Sequence, residues 1–460
     1  MKLISRATSL KSPFDRRILA LAALVFGAAL NVSAPAFARV FDPETFTLDN
    51  GMQVVVVPNH RAPIVTHMVW YKVGAADESA GESGNAHFLE HLMFKGTRTL
   101  APGEFSRIIQ QNGGRENAFT SQDYTAYFQT VARDRLEIMM EHEADRMTNL
   151  VLTDEVVLPE RDVVIEERRS RTDNNPSAKL RETMQATLYL NHPYRLPVIG
   201  WQHEIEALNT ETALAFYRKW YAPNNAILIV AGDVTAAEVR PLAEKYYGVI
   251  PARSVPERQR VTEPLQTSAR TVTHESARVR QPAVSINYIA PSYRGGDSQH
   301  AYALQILDEV LSGGSTSRLY RSLVVEQKLA VSVGSGYSAT ALDLSDFDFY
   351  ASPAPGVEIE RLEAALRAEI AAVLENGISE KELVSAKRRK RADSVYARDD
   401  LGTAPRIIGM SLATGRSIEE IENWPDLIDA VTIEQVTAAA RAVFRDKSSV
   451  TGYLLPKPTS

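Results

Sequence analysis

The sequence predicts an α+β protein assembled from two copies of one fold, and three observations carry that prediction. Short alternating or β-branched runs are interleaved with longer stretches of helical period. A proline-containing stretch, Ile250-Pro251-Ala252-Arg253-Ser254-Val255-Pro256 onward to Pro264, divides the chain almost in half, as a linker does. Residues 84–97, GNAHFLEHLMFKGT, lie without gaps over residues 302–315, YALQILDEVLSGGS; each follows an alternating strand pattern and each ends in glycine then Thr or Ser.

Taken in order, strand signals fall at 53–57, 64–71, 226–230, 284–289 and 347–351, where Val, Ile and aromatic residues dominate. Helix signals occupy 85–94, 103–112, 133–149, 155–171, 209–220, 236–247, 299–311, 359–375, 379–395 and 434–443. In each half the helices are expected to stack on one face of a largely antiparallel sheet.

The N-terminus points to export. Lys2, Arg6, Lys11, Arg16 and Arg17 form a cationic segment, Ile18 to Leu30 is an Ala/Leu/Val core, and Ala36-Phe37-Ala38 offers a small-x-small cleavage site. This is the pattern of a cleavable secretory signal, with cleavage after Ala38 and a periplasmic destination. An uncleaved anchor fits less well, because the apolar run falls short of about 20 residues. The Arg16-Arg17 pair leaves twin-arginine export as an alternative. The chain has no cysteine, which excludes a disulfide framework and a thiolate metal site. Removing residues 1–38 takes away those five cations and Asp15 and moves the formal charge from −6 to −10. Nucleic acid is therefore an unsuitable partner. The one basic run, Lys387-Arg388-Arg389-Lys390-Arg391, has the character of a solvated helix face. Nothing else in the mature chain is apolar for long enough to span a membrane.

The chemistry is concentrated in His87-Phe88-Leu89-Glu90-His91. On a helix, positions 87, 90 and 91 share a face, so two imidazoles and a carboxylate point into one small volume. Neutral imidazoles suit Zn²⁺, and a carboxylate beside the ion can take a proton from a water that the metal has acidified. The order His-x-x-Glu-His is the inverzincin pattern, the reverse of the commoner His-Glu-x-x-His. The bland alternative is an amphipathic helix with two incidental histidines. Gly84 before the motif, apolar residues on its other faces and the Gly96-Thr97 stop after it favour the site.

A catalytic zinc site with two histidines needs a third protein ligand. The charged segment Glu160-Arg161-Asp162-Val163-Val164-Ile165-Glu166-Glu167-Arg168 supplies candidates. Glu160 and Glu167 are two turns apart on one face, with Val163 and Val164 between them on that side, and Glu166 points elsewhere. Taken alone, this run is an ordinary solvated helix surface.

Three stretches, Gly84 to Thr97, the Glu160–Glu167 helix, and Gly113-Gly114-Arg115-Glu116-Asn117-Ala118-Phe119-Thr120 followed by Asp123-Tyr124-Thr125, together resemble the pitrilysin/mitochondrial processing peptidase family of zinc metalloendopeptidases. The resemblance covers nearly the whole mature chain. It implies two related α/β-sandwich domains of similar size, a duplicated metallopeptidase-like fold. It also implies Glu167 as the third ligand of one Zn²⁺ per chain, completing His87 and His91, with Glu90 as the catalytic base. Glu160 matches a family glutamate that supports the site from behind a ligand. Asn117, Ala118 and Phe119 match an edge strand that binds substrate backbone as an added strand. His192-Pro193-Tyr194 and Tyr221-Ala222-Pro223-Asn224-Asn225 strengthen the match and are read as structural. The implied organisation is a signal peptide over 1–38, a zinc-binding peptidase domain over 39–250, a linker over 251–268 and an inactive peptidase-like domain over 269–460.

The second copy puts Gln305, Asp308 and Glu309 where the first has His87, Glu90 and His91, so no zinc is expected there. One departure concerns partners. Family members carry an arginine and a tyrosine seven apart in a pattern like Leu-Arg-x-x-x-Gly-Leu-Ala-Tyr-Ser-Val; here Leu323 to Val333 puts Val324 and Val331 at those two places. Valine can neither donate a hydrogen bond nor counter an oxyanion. The expectation is a zinc endopeptidase acting on unfolded peptides, the catalytic half of a heterodimer whose second subunit brings the Arg/Tyr pair. A homodimer with altered contacts is the weaker reading. A scaffold or peptide-binding subunit with a structural zinc is the alternative function.

Overall fold

The computed structural model describes residues 39–457; the expected signal peptide lies outside the described residues. The first sheet has six strands: β1 (Glu44–Thr47), β2 (Gln53–Pro58), β3 (Ile64–Tyr71), β4 (Arg115–Thr120), β5 (Thr125–Ala132) and β6 (Ala226–Gly232), in the order β1-β2-β6-β3-β5-β4. Only β2 and β6 pair in parallel. Every residue of β6 is buried, which is why its sequence, AILIVAG, is a continuous apolar run rather than an alternating one.

The second sheet contains β7 (Arg270–Ser276), β8 (Ala283–Ala290), β9 (Ala330–Tyr337), β10 (Ser345–Pro353) and β11 (Val450–Pro456), ordered β7-β11-β8-β10-β9. Its pairing repeats that of β2-β6-β3-β5-β4, again with one parallel pair, β7 with β11. The register repeats as well. Phe128 of β5 stands between Met68 and Asn117, and Asp348 of β10 stands between Asn287 and Gly336.

The longer helices of the first half are α1 (Asn85–Leu92), α2 (Glu104–Gln111), α3 (Leu136–Asn149), α4 (Asp154–Arg168), α5 (Pro176–Leu188), α6 (Thr210–Trp220) and α7 (Ala236–Tyr246). Those of the second half are α8 (Ala301–Ser312), α9 (Ile359–Asn376), α10 (Glu380–Tyr396), α11 (Thr403–Ala413) and α12 (Ile433–Val443). Among the described residues no helix is long and apolar enough to cross a membrane.

The expected stacking of helices on one face is half of the arrangement. On that face, Val54, Val56, Val69, Tyr71, Tyr127 and Leu228 pack under α1, α3, α6 and α7. The other face of the first sheet is not open. Met68, Trp70, Ile227 and Ile229 pack against Ala404, Ile408 and Leu412 of α11, a helix of the second half. In return, Leu180, Met184 and Leu188 of α5 pack on Val450 and Leu454 of the second sheet. Each half thus lends the helix that follows its long charged helix to the other half's sheet. Neither helix was legible by period: α5 starts on Pro176, and α11 contains Pro405 and Gly409. The glycine in α11 is required, because a Cβ on Gly409 would overlap the Trp70 indole.

The segment between the halves is not a free tether. Arg260, almost fully buried, pairs with Asp77 at 2.6 Å and Asp123 at 2.9 Å. Arg258 donates to the carbonyls of Asp123 and Ala413, and Glu263 accepts the backbone N–H groups of Leu190, Asn191 and His192. Asp123 also accepts from Leu342 N at 3.0 Å, so the same carboxylate ties both halves to the linker. The basic run is likewise engaged rather than merely solvated: Arg389 and Lys390 pair with Glu309, and Lys387 and Arg391 reach Asp429.

Candidate metal centre

Helix α1 starts at Gly84, held in the left-handed region at φ 90°, and no side chain at that position caps it. The cap comes from upstream. Glu78 accepts Gly84 N–H at 3.0 Å and Ala86 N–H at 2.8 Å, satisfying two of the donors a helix start leaves open. Gly84 also lies against Gly200, itself at φ 90°, so closely that a side chain on either would strike the other's backbone. Arg168, the last residue of α4, donates to Gly200 O at 2.7 Å and pairs with Glu182. The two helices that carry the site are therefore fixed to one point.

On that base His87, His91 and Glu167 converge, with one ligand atom from each lying within 4.8 Å of the others. Glu167 Oε2 is 3.3 Å from His91 Nε2 and 3.6 Å from His87 Nε2. Ligands about 2.0–2.1 Å from a tetrahedral Zn²⁺ stand roughly 3.3 Å apart, so the spacing fits the ion. The donor set fits too: Glu167 Oε2 is buried and accepts no hydrogen bond within the protein. Its other oxygen is engaged, at 2.5 Å from Arg171, in the widened turn Arg169–Asp173 that follows α4.

Glu160 stands behind His91 rather than in the ligand triangle. Its Oε1 accepts from His91 Nδ1 at 2.9 Å, which leaves His91 Nε2 for a metal, and its Oε2 pairs with Lys95. Burial pushes the Glu160 carboxyl up, but His91 and Lys95 outweigh it and hold it below the usual range. Burial alone would depress His91; its two carboxylates lift it to about 9. His87 goes the other way, to about 4, through burial and the neighbouring His91 charge. The His91 imidazole, 3.3 Å from Glu167 Oε2, is the main reason Glu167 lies below the usual carboxylate range.

Glu90 lies on the same face of α1. Thr120 Oγ1 donates to Glu90 Oε2 at 2.6 Å, leaving Oε1 without a protein partner among the described residues. Burial raises the Glu90 carboxyl above its ordinary value. Thr120 belongs to β4, the outermost strand of the first sheet and the one that carries Asn117, Ala118 and Phe119. Alternation divides that strand. Ala118 packs on the α1 side with Thr120, while Phe119 packs on the α11 side.

Sequence reasoning missed Glu78, Lys95, Thr120 and Arg171. Thr120 was findable, because it is two residues from Ala118 and so shares its face. Glu78 had no signal, since its role is set by how the Ala75–Glu78 turn folds back. The pairing of Val163 with Val164 was wrong: Val164 is fully buried and Val163 is 49 % exposed, as a 100° helical step demands when the intervening face is taken by the site.

Two family models match the chain, one described as insulinase (peptidase family M16) over residues 53–201 and one as peptidase M16 inactive domain over residues 207–390. Among relatives, the zinc protease PqqE of Helicobacter pylori is 32% identical over 448 residues, 96% of this chain and 99% of that protein. A crystal structure of a protease from Helicobacter pylori superposes with a TM-score of 0.84 at 32% identity, covering 90% of this chain and 99% of that one. A putative M16-like peptidase from Alicyclobacillus acidocaldarius superposes at 0.78 with 22% identity, over 93% of this chain and all of that one, which is a likeness of fold.

Proposed function

The chain belongs to the M16 peptidase family, and on that premise we propose that it is a zinc endopeptidase hydrolysing unfolded peptides. The observation that carries the reading is the triangle of His87, His91 and Glu167 with a buried carboxylate oxygen facing two imidazoles, and Glu90 beside it. His87, His91 and Glu167 hold the ion, and Glu160 orients His91. Zinc bound there supplies positive charge that acidifies water and polarises a peptide carbonyl. Glu90 does the proton work. Oε1 takes the proton of the attacking water and delivers it to the leaving amine nitrogen as the C–N bond breaks, while Thr120 holds Oε2 in place. A raised Glu90 pKa suits a group that must both accept and return a proton. Asn117, Ala118 and Phe119 offer the free edge of the first sheet to an extended peptide.

The reading extends to a partner. Val324, in an irregular helical turn, packs partly against the core of the second half, whereas Val331 is 51 % exposed, so core packing does not explain the apolar side chain at the place where the family pattern has tyrosine. Lys328, in the glycine position of that pattern, adopts φ 55°. A second family subunit supplying the Arg/Tyr pair to this zinc centre accounts for both losses. Export to the periplasm, through the segment ending at Ala38, belongs to the same proposal.

The test measures zinc content and cleavage of a quenched unfolded peptide by the chain alone and mixed with a second family chain that carries the Arg/Tyr pattern. Activity confined to the mixture is expected, with Glu90→Gln retaining zinc and losing about 10²- to 10⁴-fold in turnover. A zinc-loaded Glu90→Gln protein with full activity would sink the assigned base, and full activity of the isolated chain would sink the partner.

A further inference from the structure

Arg406 stands out among the charged groups of the α11 face. Its exposed guanidinium lies 4.8 Å from the Phe128 ring centroid and 5.3 Å from that of Phe119. Among the described residues it has no ion pair with any carboxylate. Asp400, the acid on the adjoining turn, directs its oxygens at Gly402 N and Thr403 Oγ1 at the start of α11.

The other half shows what is missing. Arg406 comes three residues before Gly409, which meets Trp70 of the first sheet, and Arg181 comes three residues before Met184, which meets Gly452 of the second. Arg181 acts on Asp348, lowering a carboxyl that burial raises. Asp348 holds the register position that Phe128 holds in the first sheet. One crossing helix therefore sets its arginine near an acid. The other sets its arginine over two aromatic rings; its charge also reaches Asp400, whose oxygens are hydrogen-bonded to the start of α11 and not to the guanidinium.

We propose that Arg406, seated on Phe119 and Phe128, is a specificity-determining residue that binds an acidic side chain of the peptide substrate. The inference rests on the proposed peptidase reading, in which substrate lies as a strand along β4. A strand added there sends alternate side chains to opposite faces. One set meets the α1 face, where Thr120 holds Glu90. The other set falls beside Phe119, under Arg406. Stacking on the rings fixes the guanidinium plane while its N–H edge stays free for a carboxylate, which it can bind in bidentate fashion.

The experiment uses the full-length mature chain carrying Glu90→Gln, loaded with zinc, and fluorescent unfolded decapeptides identical except for Glu, Gln or Lys scanned through each position. Anisotropy is expected to show Glu binding about fivefold tighter than Gln at some positions, with the gap shrinking in high salt. Arg406→Glu, with an unchanged melting curve and zinc content, should invert that order in favour of Lys. The same ranking in both proteins, or no binding of any peptide, overturns the proposal. The expected ranking without hydrolysis by the Glu90-containing protein, alone or mixed with a second family chain that carries the Arg/Tyr pattern, would sink the peptidase reading and leave this subsite standing.

Discussion

Helices α1 and α8 occupy the same place in the two halves, and they differ in whether their polar groups are satisfied. On α8, Gln305 bonds to Tyr293 Oη at 2.8 Å and accepts from Trp424 Nε1 at 3.1 Å. Asp308 accepts from Ser335 at 2.6 Å, and Glu309 is held by Arg389 and by Lys390 at 3.0 Å. These last two cations lie on α10, the counterpart of the helix that carries Glu160 and Glu167. Two protein cations thus stand where the first half gathers His87, His91 and Glu167, the groups that could hold a metal ion. At the open site Glu167 Oε2, buried on α4, faces only the two imidazoles of α1, at 3.3 and 3.6 Å. The comparison teaches that a buried polar cluster is a scaffold when its own side chains complete it and a site when they do not.

The largest test of that contrast concerns protons at the open site. In the metal-free protein His91 titrates at about 9 and His87 at about 4, so at pH 7 a metal ion must displace one proton, from His91. Zinc affinity measured by chelator competition should therefore rise about tenfold per pH unit from 6 to 8 and flatten above 9. The raised His91 value also has a sign for stability. Its contribution to the metal-free fold is full below the ordinary histidine value near 6.5 and is lost as pH rises through 9, so melting temperature should fall across that window. A flat zinc affinity would show that His91 is neutral and its pairing with Glu160 overstated.

The closed site should respond differently. Arg389→Ala leaves Glu309 with Lys390 alone and should destabilise the protein by about 1–3 kcal/mol without changing zinc content. Urea denaturation beside metal analysis checks it. A change in bound zinc would mean the two sites are not independent.

A smaller effect separates the two crossing helices. Gly409→Ala on α11 drives a methyl into the buried Trp70 indole and should cost about 1–3 kcal/mol. Gly452→Ala on β11 meets the thioether of Met184, which can turn aside, and should cost less. Equal losses in melting temperature would mean the second contact is as rigid as the first.

Much of this was legible in the residues. The β-branched runs of β2 and β3, the period-2 run of β8, the charged period of α4, and His87, Glu90 and His91 on one helical face all follow from local chemistry. Strands β7 and β9 escaped, because RTVTHES is polar and AVSVGSGY carries two glycines, which weaken the strand pattern. The exchange of α5 and α11 between halves escaped as well, since it depends on which surface a helix meets after the chain has turned.

By itself the sequence determined the duplicated α+β plan, the presence of two imidazoles and a carboxylate at one spacing, and the loss of that set from the second copy. These are properties of residues a few positions apart, which helix geometry places together without help. The tertiary structure decided the rest: that Glu167 faces the histidines with an unpaired oxygen while Glu160 turns to His91 Nδ1, that Glu78 caps α1 from outside it, and that the two sheets exchange helices. The first and last of these depend on contacts between segments about 70 or more positions apart, and the Glu78 cap on how a nearby turn folds back; packing rather than local period sets such contacts.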